Sequence, residues 1–400
     1  MDVYEESFEM HTKNKGKLAV KSKVPVRNKH DLSLAYTPGV AEACRRIAAN
    51  KAEVFECTLK ANTVAVVSDG SAILGLGNLG AEAAIPVMEG KAILFKQFAK
   101  LDAFPICLST QDSQDIINTV KNIAPVFAAI NLEDISAPRC FEIESALQDL
   151  GIPVMHDDQH GTAVVVLAGL MNAAKVVNKN FSDLKVVVNG AGAAGVAVTK
   201  LLLGIGVDAK IFTPVQEVIL CDTAGAIYDG RKENMNSSKE EMAKITNPRK
   251  IQGSLANVLV GADVFIGLSG PKLVTSEMVK TMSPNSIVFA MANPVPEIMP
   301  DEAKAGGAAV IATGRSDFPN QVNNALGFPG IFKGAIGAKA TKITTGMKIA
   351  AAFALSKCVK EPTADKIIPT PFEKVVVRKI SAAVQKAAIK DGVVRQGLQH

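Results

Sequence analysis

Two acidic pairs in the sequence could hold a divalent cation. "AINLEDIS" places Glu133 and Asp134 after an apolar run, and "VMHDDQHGTA" places Asp157 and Asp158 after another. Buried carboxylates are costly unless a cation lies between them, and several such oxygens suit Mg²⁺ or Mn²⁺. An isolated acidic pair more often forms a solvated turn or a helix N-cap. Because both pairs end predicted strands, the metal site is favoured.

A lysine and a tyrosine are candidates for proton transfer. Lys91 lies in "EGKAILFK", ahead of an apolar run. A lysine in a dry pocket near a metal has a lowered pKa and can act as a base. Tyr36, in "SLAYTPGV", is one of three tyrosines and lies beside a Pro-Gly turn. Taken alone, such residues are more often a surface lysine and a packed aromatic whose hydroxyl is satisfied.

His156 and His160 have the H-x-x-x-H spacing of zinc proteases. That spacing places both imidazoles on one face only when a helix contains both residues. We predict that the following helix begins after Gly161. Hydrogen-bonded loop histidines are therefore favoured over a zinc site.

Two G-x-G-x-x-G motifs occur, although a chain of this size rarely needs two dinucleotide sites. The motif Gly190, Gly192 and Gly195, with Ala193 and Ala194 between, follows the predicted strand "LKVVVN" and precedes a helical pattern. Its glycines permit a tight turn, close approach of a pyrophosphate and helix–strand packing. The helix N-terminus then offers N–H groups to the phosphates. This motif is the predicted cofactor site.

The motif at Gly75, Gly77 and Gly80 lacks that context. We expect Pro86 to cut its helix short. The next acid, Asp102, precedes a predicted strand instead of ending one. We interpret this loop as closely packed backbone near a site, not as a pyrophosphate cradle.

Asp222 bears on the choice of cofactor. It ends the strand after the second glycine loop, where a carboxylate accepts hydrogen bonds from a ribose diol and repels a 2′-phosphate. Arg231 and Lys232 follow nine and ten residues later and could fold back toward the ribose. The long connection 208–217 weakens the assignment of Asp222. NAD is the predicted cofactor, and NADP stays open.

The elements that must position these residues alternate between strand and helix. Such alternation predicts parallel sheets. The first sheet is predicted from strands at 63–69, 103–109, 125–134 and 152–158. The second, a doubly wound dinucleotide-binding sheet of the Rossmann type, is predicted from strands at 184–189, 217–222, 263–270, 286–294 and 309–314.

The predicted domains are 1–160, carrying the acidic pairs, and 161–400, carrying the second glycine loop. A long apolar helix over 161–179 joins them. Residues 1–35 have little periodicity, so we expect them to drape over the body or over an oligomer partner. Two basic amphipathic helices are predicted near the C-terminus.

Composition excludes several function classes. The 400 residues are 48% hydrophobic, carry a net charge of +5 and contain no basic stripe with aromatic platforms, which argues against a nucleic-acid partner. The apolar runs are too short to span a bilayer, and the acidic N-terminus does not resemble a signal peptide. Six cysteines occur without a C-x-x-C pattern, which indicates reduced thiols and a cytoplasmic location.

Taken together, the segments resemble malic enzyme, in its short bacterial-type form. The resemblance runs from about residue 30 to the C-terminal region and is carried, in the family's order, by "SLAYTPGV", "SDGSAILGLGNLG", "EGKAILFK", "NLEDI", "HDDQHGTA", "NGAGAAG", "FAMANPVPE" and "NNALGFPG". It implies an N-terminal α/β domain followed by the Rossmann-type domain. It also implies a homodimer or a higher homo-oligomer.

The resemblance implies a role for each candidate residue. Tyr36 matches the general acid and Lys91 the general base, which also contacts substrate. The matched metal ligands, with Asp157 beside them, are Glu133, Asp134 and Asp158.

Further positions match the family's binding residues. Asn293 and Asn324 match asparagines that contact substrate and nicotinamide, and the Gly75 loop would line the active site. One position departs from the pattern: longer relatives carry an arginine for a substrate carboxylate where this chain has Ala72.

The implied reaction is oxidative decarboxylation of L-malate to pyruvate and carbon dioxide, with reduction of NAD(P) and dependence on Mg²⁺ or Mn²⁺. Lys91 would take the hydroxyl proton, and Tyr36 would protonate the enolate left by decarboxylation. Three alternatives remain: a metal-independent Rossmann dehydrogenase, a malolactic enzyme that releases lactate, and a dinucleotide-sensing scaffold.

Overall fold

The structure is a computed structural model, which describes residues 2–395. Its strands form two sheets. Those of the first sheet are β1 (Thr63–Ser68), β2 (Asp102–Cys107), β3 (Ala129–Leu132) and β4 (Val154–His156). Those of the second are β5 (Lys185–Asn189), β6 (Glu217–Asp222), β7 (Gly225–Ala226), β8 (Val264–Gly267), β9 (Ile287–Ala290) and β10 (Val310–Thr313).

The helices cover both sheets and supply the chain's N-terminal and C-terminal segments. Those from the N-terminus to the end of the first sheet are α1 (Val3–Asn14), α2 (Lys29–Ala35), α3 (Val40–Ala49), α4 (Val54–Cys57), α5 (Ala81–Leu94), α6 (Ser113–Ile123), α7 (Arg139–Ala146) and α8 (Asp157–Val176). The later helices are α9 (Ala193–Leu202), α10 (Ser237–Ile245), α11 (Leu255–Leu259), α12 (Ser276–Lys280), α13 (Pro300–Ala305), α14 (Phe328–Gly337), α15 (Thr345–Ser356) and α16 (Val375–Lys390).

The first sheet is parallel, in the order β2-β1-β3-β4. Alternate residues of a strand point to opposite faces. In β1, Val64 and Val66 pack in the core that contains α8, while Ala65 and Val67 pack in the core that contains α6 and α7. Both faces of the strand are therefore covered, which explains its continuous apolar run.

The second sheet has the order β10-β9-β8-β5-β6-β7. Its pairings are parallel except for the short β6–β7 pair, an edge hairpin that the sequence did not predict. Chain order reverses between β5 and β8, and ligands bind at such a switch point, beyond the carboxyl ends of the strands. The glycine loop follows β5 there. The predicted fold class, an N-terminal α/β domain with a Rossmann-type domain, is confirmed.

Helix α8 begins earlier than the sequence predicted. It starts at Asp157, preceded by His156 in an extended conformation, and not after Gly161. Carboxylates are favourable in the first turn of a helix because they face its positive dipole end, so Asp157 and Asp158 can begin the helix. The predicted boundary after residue 160 therefore falls inside a helix.

The prediction that Pro86 would cut its helix short is wrong. Helix α5 continues through Pro86 to Leu94. Proline removes one helical hydrogen bond, here from the Glu82 carbonyl, but both residues lie on the exposed face. The opposite face buries Ala84, Met88 and Ala92. Packing of that face outweighs the lost bond.

The N-terminal arm, defined here as residues 2–50, is exposed along its whole length. None of its described residues is buried, and apolar side chains such as Tyr4, Phe8 and Leu34 face solvent. Its polar links to the body include two from Lys17, whose backbone N–H donates to Glu89 Oε2 at 3.2 Å and whose Nζ donates to the Pro86 carbonyl at 2.7 Å, and an ion pair of 3.8 Å between Lys23 and Asp102. The arm has apolar surface without a partner in one chain.

The predicted C-terminal helices are confirmed as α15 and α16. Helix α16 buries Val376, Ile380, Val384 and Ala388, each four positions after the last, so one stripe faces the core and the rest of the helix carries its lysines. Within residues 2–395, none of the helices has the length and apolar character needed to cross a membrane.

Candidate active site

The carboxyl edge of the first sheet gathers four carboxylates around one lysine. Glu133 and Asp134 follow β3, and Asp157 and Asp158 follow β4. Lys91, from α5, donates to Asp157 Oδ2 at 2.5 Å and lies 2.9 Å from Glu133 Oε1. Lys91 Nζ also lies over the aromatic ring of Phe328, 4.5 Å from its centre. The sequence-predicted residues therefore meet in one buried cluster.

Three of these carboxylates can bind one cation. Oxygens of Glu133, Asp134 and Asp158 all lie within 4.8 Å of one another. Asp134 Oδ2 and Asp157 Oδ1 are buried and have no hydrogen-bond partner among residues 2–395. Unpaired buried carboxylate oxygens are costly, and an all-oxygen donor set suits Mg²⁺ or Mn²⁺. The residues fit the divalent metal that the sequence predicted.

The carboxyl groups repel one another, and this changes their acidity. Burial raises the pKa of Glu133 to about 7, with Lys91 opposing and Asp158 adding to the rise. Burial, together with Asp158 and Glu133, raises the pKa of Asp134 to about 9. Burial also raises the pKa of Asp157 to about 7, against the effect of Lys91. Without a cation, the cluster therefore holds protons at neutral pH.

The predicted lowering of the Lys91 pKa is wrong for this arrangement. Burial alone would lower it, but the charges of Asp157, Glu133 and Asp158 raise the pKa above its ordinary value. The sequence prediction considered the dry pocket and the metal and did not include the carboxylate contacts. For Lys91 to act as a base, a neighbouring group must therefore accept a proton from Nζ.

The two predicted asparagines lie in different places. Asn324 lies near the carboxylate cluster, and Asn293 lies near the first glycine loop. A Cβ on Gly161 would lie 1.8 Å from Asp157 Oδ1 and 3.2 Å from Asn324 Cβ, so Gly161 leaves room for both residues. A Cβ on Gly75 would lie 2.7 Å from the carbonyl oxygen of Asn293. Close packing is thus found at Gly75 only: residues 74–79 are exposed, and a Cβ on Gly77 or Gly80 would meet no described atom within 4 Å. The prediction of closely packed backbone does not hold along the loop.

Ala72, the position that departs from the family pattern, is next in sequence to Ser71, which contacts Arg139 of α7. Ala72 donates its backbone N–H to the Asp134 carbonyl at 3.0 Å. Next to it, Ser71 Oγ accepts from Arg139 Nη2 at 2.9 Å. That nitrogen also lies 2.8 Å from Asp69 Oδ2, and Arg139 Nη1 donates to the Gln111 carbonyl. Arg139 was not predicted, and its donors are largely committed to the protein.

Tyr36 is not brought into the cluster. It directly follows α2 in the N-terminal arm, and its surface is 64% exposed. In a single chain, the predicted general acid therefore lies on an exposed arm, while the predicted base is buried.

The second glycine loop has the packing that the motif requires. Gly190 has a φ of +124°, and a Cβ there would lie 2.4 Å from the Leu268 carbonyl oxygen. A Cβ on Gly195 would lie 1.6 Å from the Gly190 carbonyl oxygen, whereas Gly192 has no neighbour within 4 Å. Ala193 begins α9, and Ala194 follows it in the same turn. The loop is therefore tightly packed at Gly190 and Gly195, and it has free space at Gly192.

Asp222 is held by side chains of the protein. Its two oxygens accept from Arg231 at 2.9 and 2.5 Å, and Oδ2 also accepts from Lys239 at 2.6 Å and from Asn234 at 3.1 Å. Burial would raise the pKa of Asp222, but these hydrogen bonds lower it. Arg231 folds back as the sequence suggested, whereas Lys239 takes the place suggested for Lys232, which is exposed.

Both histidines of the H-x-x-x-H spacing are engaged by protein groups. His156 Nδ1 lies 3.1 Å from Gln159 Nε2. His160 bonds Glu144 through Nε2 at 2.9 Å and Lys348 through Nδ1 at 3.1 Å. Sequence reasoning missed Glu144 and Lys348 because each is an ordinary charge on a predicted helix, and only the fold brings them to the histidines.

Both parts of the chain match known protein families. Residues 15–148 match the family described as "Malic enzyme, N-terminal domain", and residues 159–392 match "Malic enzyme, NAD binding domain". The chain belongs to the malic enzyme family. It therefore catalyses oxidative decarboxylation of malate with NAD or NADP, and dependence on a divalent metal is general for malic enzymes.

Individual relatives agree over nearly the whole chain. The Bifunctional malic/malolactic enzyme of Bacillus subtilis is 55% identical, covering 99% of this chain and 95% of its own. The NAD-dependent malic enzyme of Geobacillus stearothermophilus is 53% identical, covering 99% and 81%. The crystal structure of NAD-dependent malic enzyme from Thermotoga maritima has a TM-score of 0.90 and 46% identity, covering 96% and 99%. Other malic enzymes that match are named NADP-dependent.

Proposed function

We propose that Lys91 is the general base of malate oxidation and that Glu133, Asp134 and Asp158 bind the divalent cation. The observation that carries this assignment is the buried cluster of one lysine and four carboxylates. Two buried oxygens in it have no protein partner. A divalent cation on the three clustered carboxylates would satisfy Asp134 and offset their mutual repulsion.

Proton transfer follows from the Lys91–Asp157 contact. When bound, the cation polarises substrate oxygens as a Lewis acid and the nicotinamide accepts hydride. Lys91 Nζ takes the proton of the C2 hydroxyl as C2 is oxidised. Because the pKa of Asp157 is raised to about 7, its carboxyl can hold the proton that Lys91 must first give up. Asn293 and Asn324 orient the substrate beside the nicotinamide.

Tyr36 is proposed as the acid that protonates C3 of the enolate left after carbon dioxide departs. Its exposure in one chain leads us to place it in the active site of a second copy. The N-terminal arm carries unpartnered apolar residues, and burial of such surface drives association. A twofold dimer would let each arm complete the other chain's site. The proposed assembly is a homodimer or a higher homo-oligomer.

A complementation experiment tests the shared site. Tyr36→Phe and Lys91→Ala proteins are each inactive under this proposal. Mixed dimers regain malate oxidation because one of their two sites combines the intact Lys91 of one chain with the intact Tyr36 of the other. If Tyr36 acts within its own chain, mixing restores no activity.

NAD and NADP are both proposed as cofactors, held at Gly190, Gly192 and Gly195 with Asp222 below the ribose. The sequence argument for NAD assumed a free Asp222 carboxylate. With Arg231 and Lys239 on its oxygens, the carboxylate repels a 2′-phosphate less strongly. Lys239 is the cation that we propose for contact with that phosphate. Its ammonium has three N–H donors, of which Asp222 and the Asn234 carbonyl take two, whereas Arg231 is also committed to the Gly225 and Ala226 carbonyls.

A malolactic side reaction is a second candidate activity. The Bacillus subtilis relative at 55% identity is named for both reactions. In this reaction the reduced cofactor returns its hydride to pyruvate before release, so lactate and carbon dioxide form without net reduction of cofactor.

One assay separates these outcomes. Purified protein is given L-malate, Mn²⁺ and either NAD or NADP, and reduced cofactor, pyruvate, lactate and carbon dioxide are followed together. Equal yields of reduced cofactor and pyruvate support the malic reaction, whereas lactate without reduced cofactor supports the malolactic one. Full activity in excess chelator would overturn the metal assignment.

The remaining proposals concern the cellular location of the protein and its domain boundaries. We propose a cytoplasmic location, supported by the six cysteines, which are all free thiols. We also propose the two functional domains predicted from the sequence, 1–160 and 161–400, although α8 belongs physically to both sheets' cores.

A further inference from the structure

The turn 156–160 carries Asp157 and Asp158, and one buried carboxylate from a different helix holds it. Glu144, on α7, accepts the backbone N–H of His156 through Oε1 at 2.9 Å. Its Oε2 accepts from Gln159 Nε2 at 3.2 Å and contacts His160 Nε2 at 2.9 Å. Three contacts from one side chain thus fix both ends of the turn.

The hydrogen-bond pattern also fixes the tautomer of His156. Gln159 Nε2 is a donor, so His156 Nδ1 must accept and the ring hydrogen lies on Nε2. That Nε2 lies 3.3 Å from Asp158 Oδ2, in electrostatic contact although not aligned as a hydrogen bond. His156 is fully buried. His156 Nε2 therefore lies beside a carboxylate that we have proposed as a metal ligand, and the same Asp158 Oδ2 accepts the Asp134 backbone N–H at 2.8 Å.

A second set of contacts reaches α15, in the C-terminal part of the domain 161–400. Lys348, on α15, can only donate, so His160 Nδ1 accepts from it and His160 Nε2–H points to Glu144. Burial alone would raise the pKa of Glu144, but His160, Lys348 and His156 lower it to about 2. The carboxylate is ionised and accepts from every donor around it.

We propose that Glu144 is a positioning residue that, through His156 and Gln159, fixes the orientation of Asp158 and thereby sets the affinity for the divalent cation. The inference rests on the proposed assignment of Asp158 as a metal ligand. Groups behind a ligand that fix its orientation affect metal affinity by roughly 10–100-fold when removed. Glu144 acts through the turn and does not touch the substrate.

The surroundings of Glu144 allow a direct test of its chemistry. Glu144, His160 and Lys348 line a cavity of about 690 Å³ between α7, α9 and α15. A cavity of this size admits small molecules. If Glu144 is shortened to alanine, formate or acetate can enter the space and supply the missing carboxylate.

The measurement is Mn²⁺ binding to the purified full chain, read from the electron paramagnetic resonance signal of free Mn²⁺, without turnover. Glu144→Ala is expected to weaken binding by roughly 10–100-fold, and formate or acetate is expected to restore part of the loss. Glu144→Gln keeps the volume but loses acceptors, so it should weaken binding without rescue. Glu142→Gln, exposed on the same helix and cavity wall, should bind as wild type does.

Two results would overturn the inference: wild-type Mn²⁺ affinity in Glu144→Ala, or a weakened affinity that neither anion improves. If Glu144→Ala does not fold, as judged by its melting temperature in chelator, Glu144→Gln carries the test, and wild-type affinity in it overturns the inference. Asp158→Ala separates the two proposals. If it binds Mn²⁺ normally, the ligand assignment itself is wrong, whereas a loss confined to Asp158→Ala contradicts only the role of Glu144.

Discussion

The carboxyl edges of the two sheets differ in how their charges are balanced. At the first edge, Lys91 faces four carboxylates, and two buried oxygens lack a partner. At the second edge, Asp222 forms ion pairs with Arg231 and Lys239. The glycine loop there offers backbone N–H groups. The first edge thus carries the carboxylates that we propose bind a divalent cation. At the second edge, protein side chains balance the charge of Asp222, and the glycine loop is open at Gly192. We therefore expect substitutions at the two edges to have different consequences.

The largest expected effect is at the first edge. Lys91→Ala should lower kcat for malate by about 10²–10⁴-fold, the usual contribution of general acid–base catalysis. Steady-state kinetics with saturating Mn²⁺ measures it. Lys96→Ala is the matched control, because Lys96 follows on the same helical segment and its side chain is exposed. A Lys91→Ala enzyme within tenfold of wild type would remove Lys91 from the base role.

The glycine loops give a matched pair of substitutions. In Gly195→Ala the new Cβ must displace the Gly190 carbonyl, and a misplacement of about 1 Å can cost about 10²-fold, so we expect weaker binding of NADH and NADPH. In Gly77→Ala the Cβ meets nothing within 4 Å, but φ is +86°. That substitution should cost about 1–2 kcal/mol of stability with unchanged cofactor affinity. Fluorescence titration and denaturant unfolding measure the two effects, and reversed outcomes would exchange the roles of the loops.

A smaller effect is expected from Lys239. A hydrogen bond to a charged group contributes about 1.5–3 kcal/mol, so Lys239→Gln should lower kcat/KM with NADP by about tenfold or more and leave NAD little changed. Lys232→Gln, with the side chain exposed, is the control. An equal loss with both cofactors would mean that Lys239 supports only the fold around Asp222.

The smallest effect is on the pH dependence of stability without metal. The pKa values of Glu133 and Asp157 are raised to about 7 and that of Asp134 to about 9. Between about pH 4 and these values the folded chain binds more protons than the unfolded chain, so its stability falls as pH rises. The lowered pKa values of His156 and His160 act in the opposite direction below about pH 6.5, and that of Lys60, lowered to about 8, does so above that value. The Tm in chelator should therefore fall between about pH 7 and pH 8, and Mn²⁺ should raise it more at pH 8 than at pH 7. A Tm that is independent of Mn²⁺ at pH 8 would contradict the cluster's electrostatics.

Much of this arrangement could be predicted from the sequence because the signals are local. Apolar runs gave the strands, and a strand followed by Gly190 and a helical pattern gave the cofactor loop. Acidic pairs after β3 and β4 could be placed at one edge because parallel strands end on the same side. The prediction that these residues meet needed the topology and no side-chain detail.

The failures involve distances that no local pattern contains. The pKa of Lys91 rises because Asp157 lies 2.5 Å away, and the sequence gives only the residue types. Glu144 and Lys348 reach the turn 156–160 from helices separated along the chain. Pro86 continues a helix because the buried face opposite it packs well. In each case tertiary packing outweighed a local preference.

Helix α8 limits how this enzyme can be taken apart or recombined. It begins with Asp157 and runs through the shared core to Val176. A chimera joined after residue 160 would take the Asp157–Asp158 turn from one parent and the body of its helix from another. The natural crossover points lie in loops outside 157–176, so the metal-binding turn and the first packing surface of the cofactor domain are inherited as one unit.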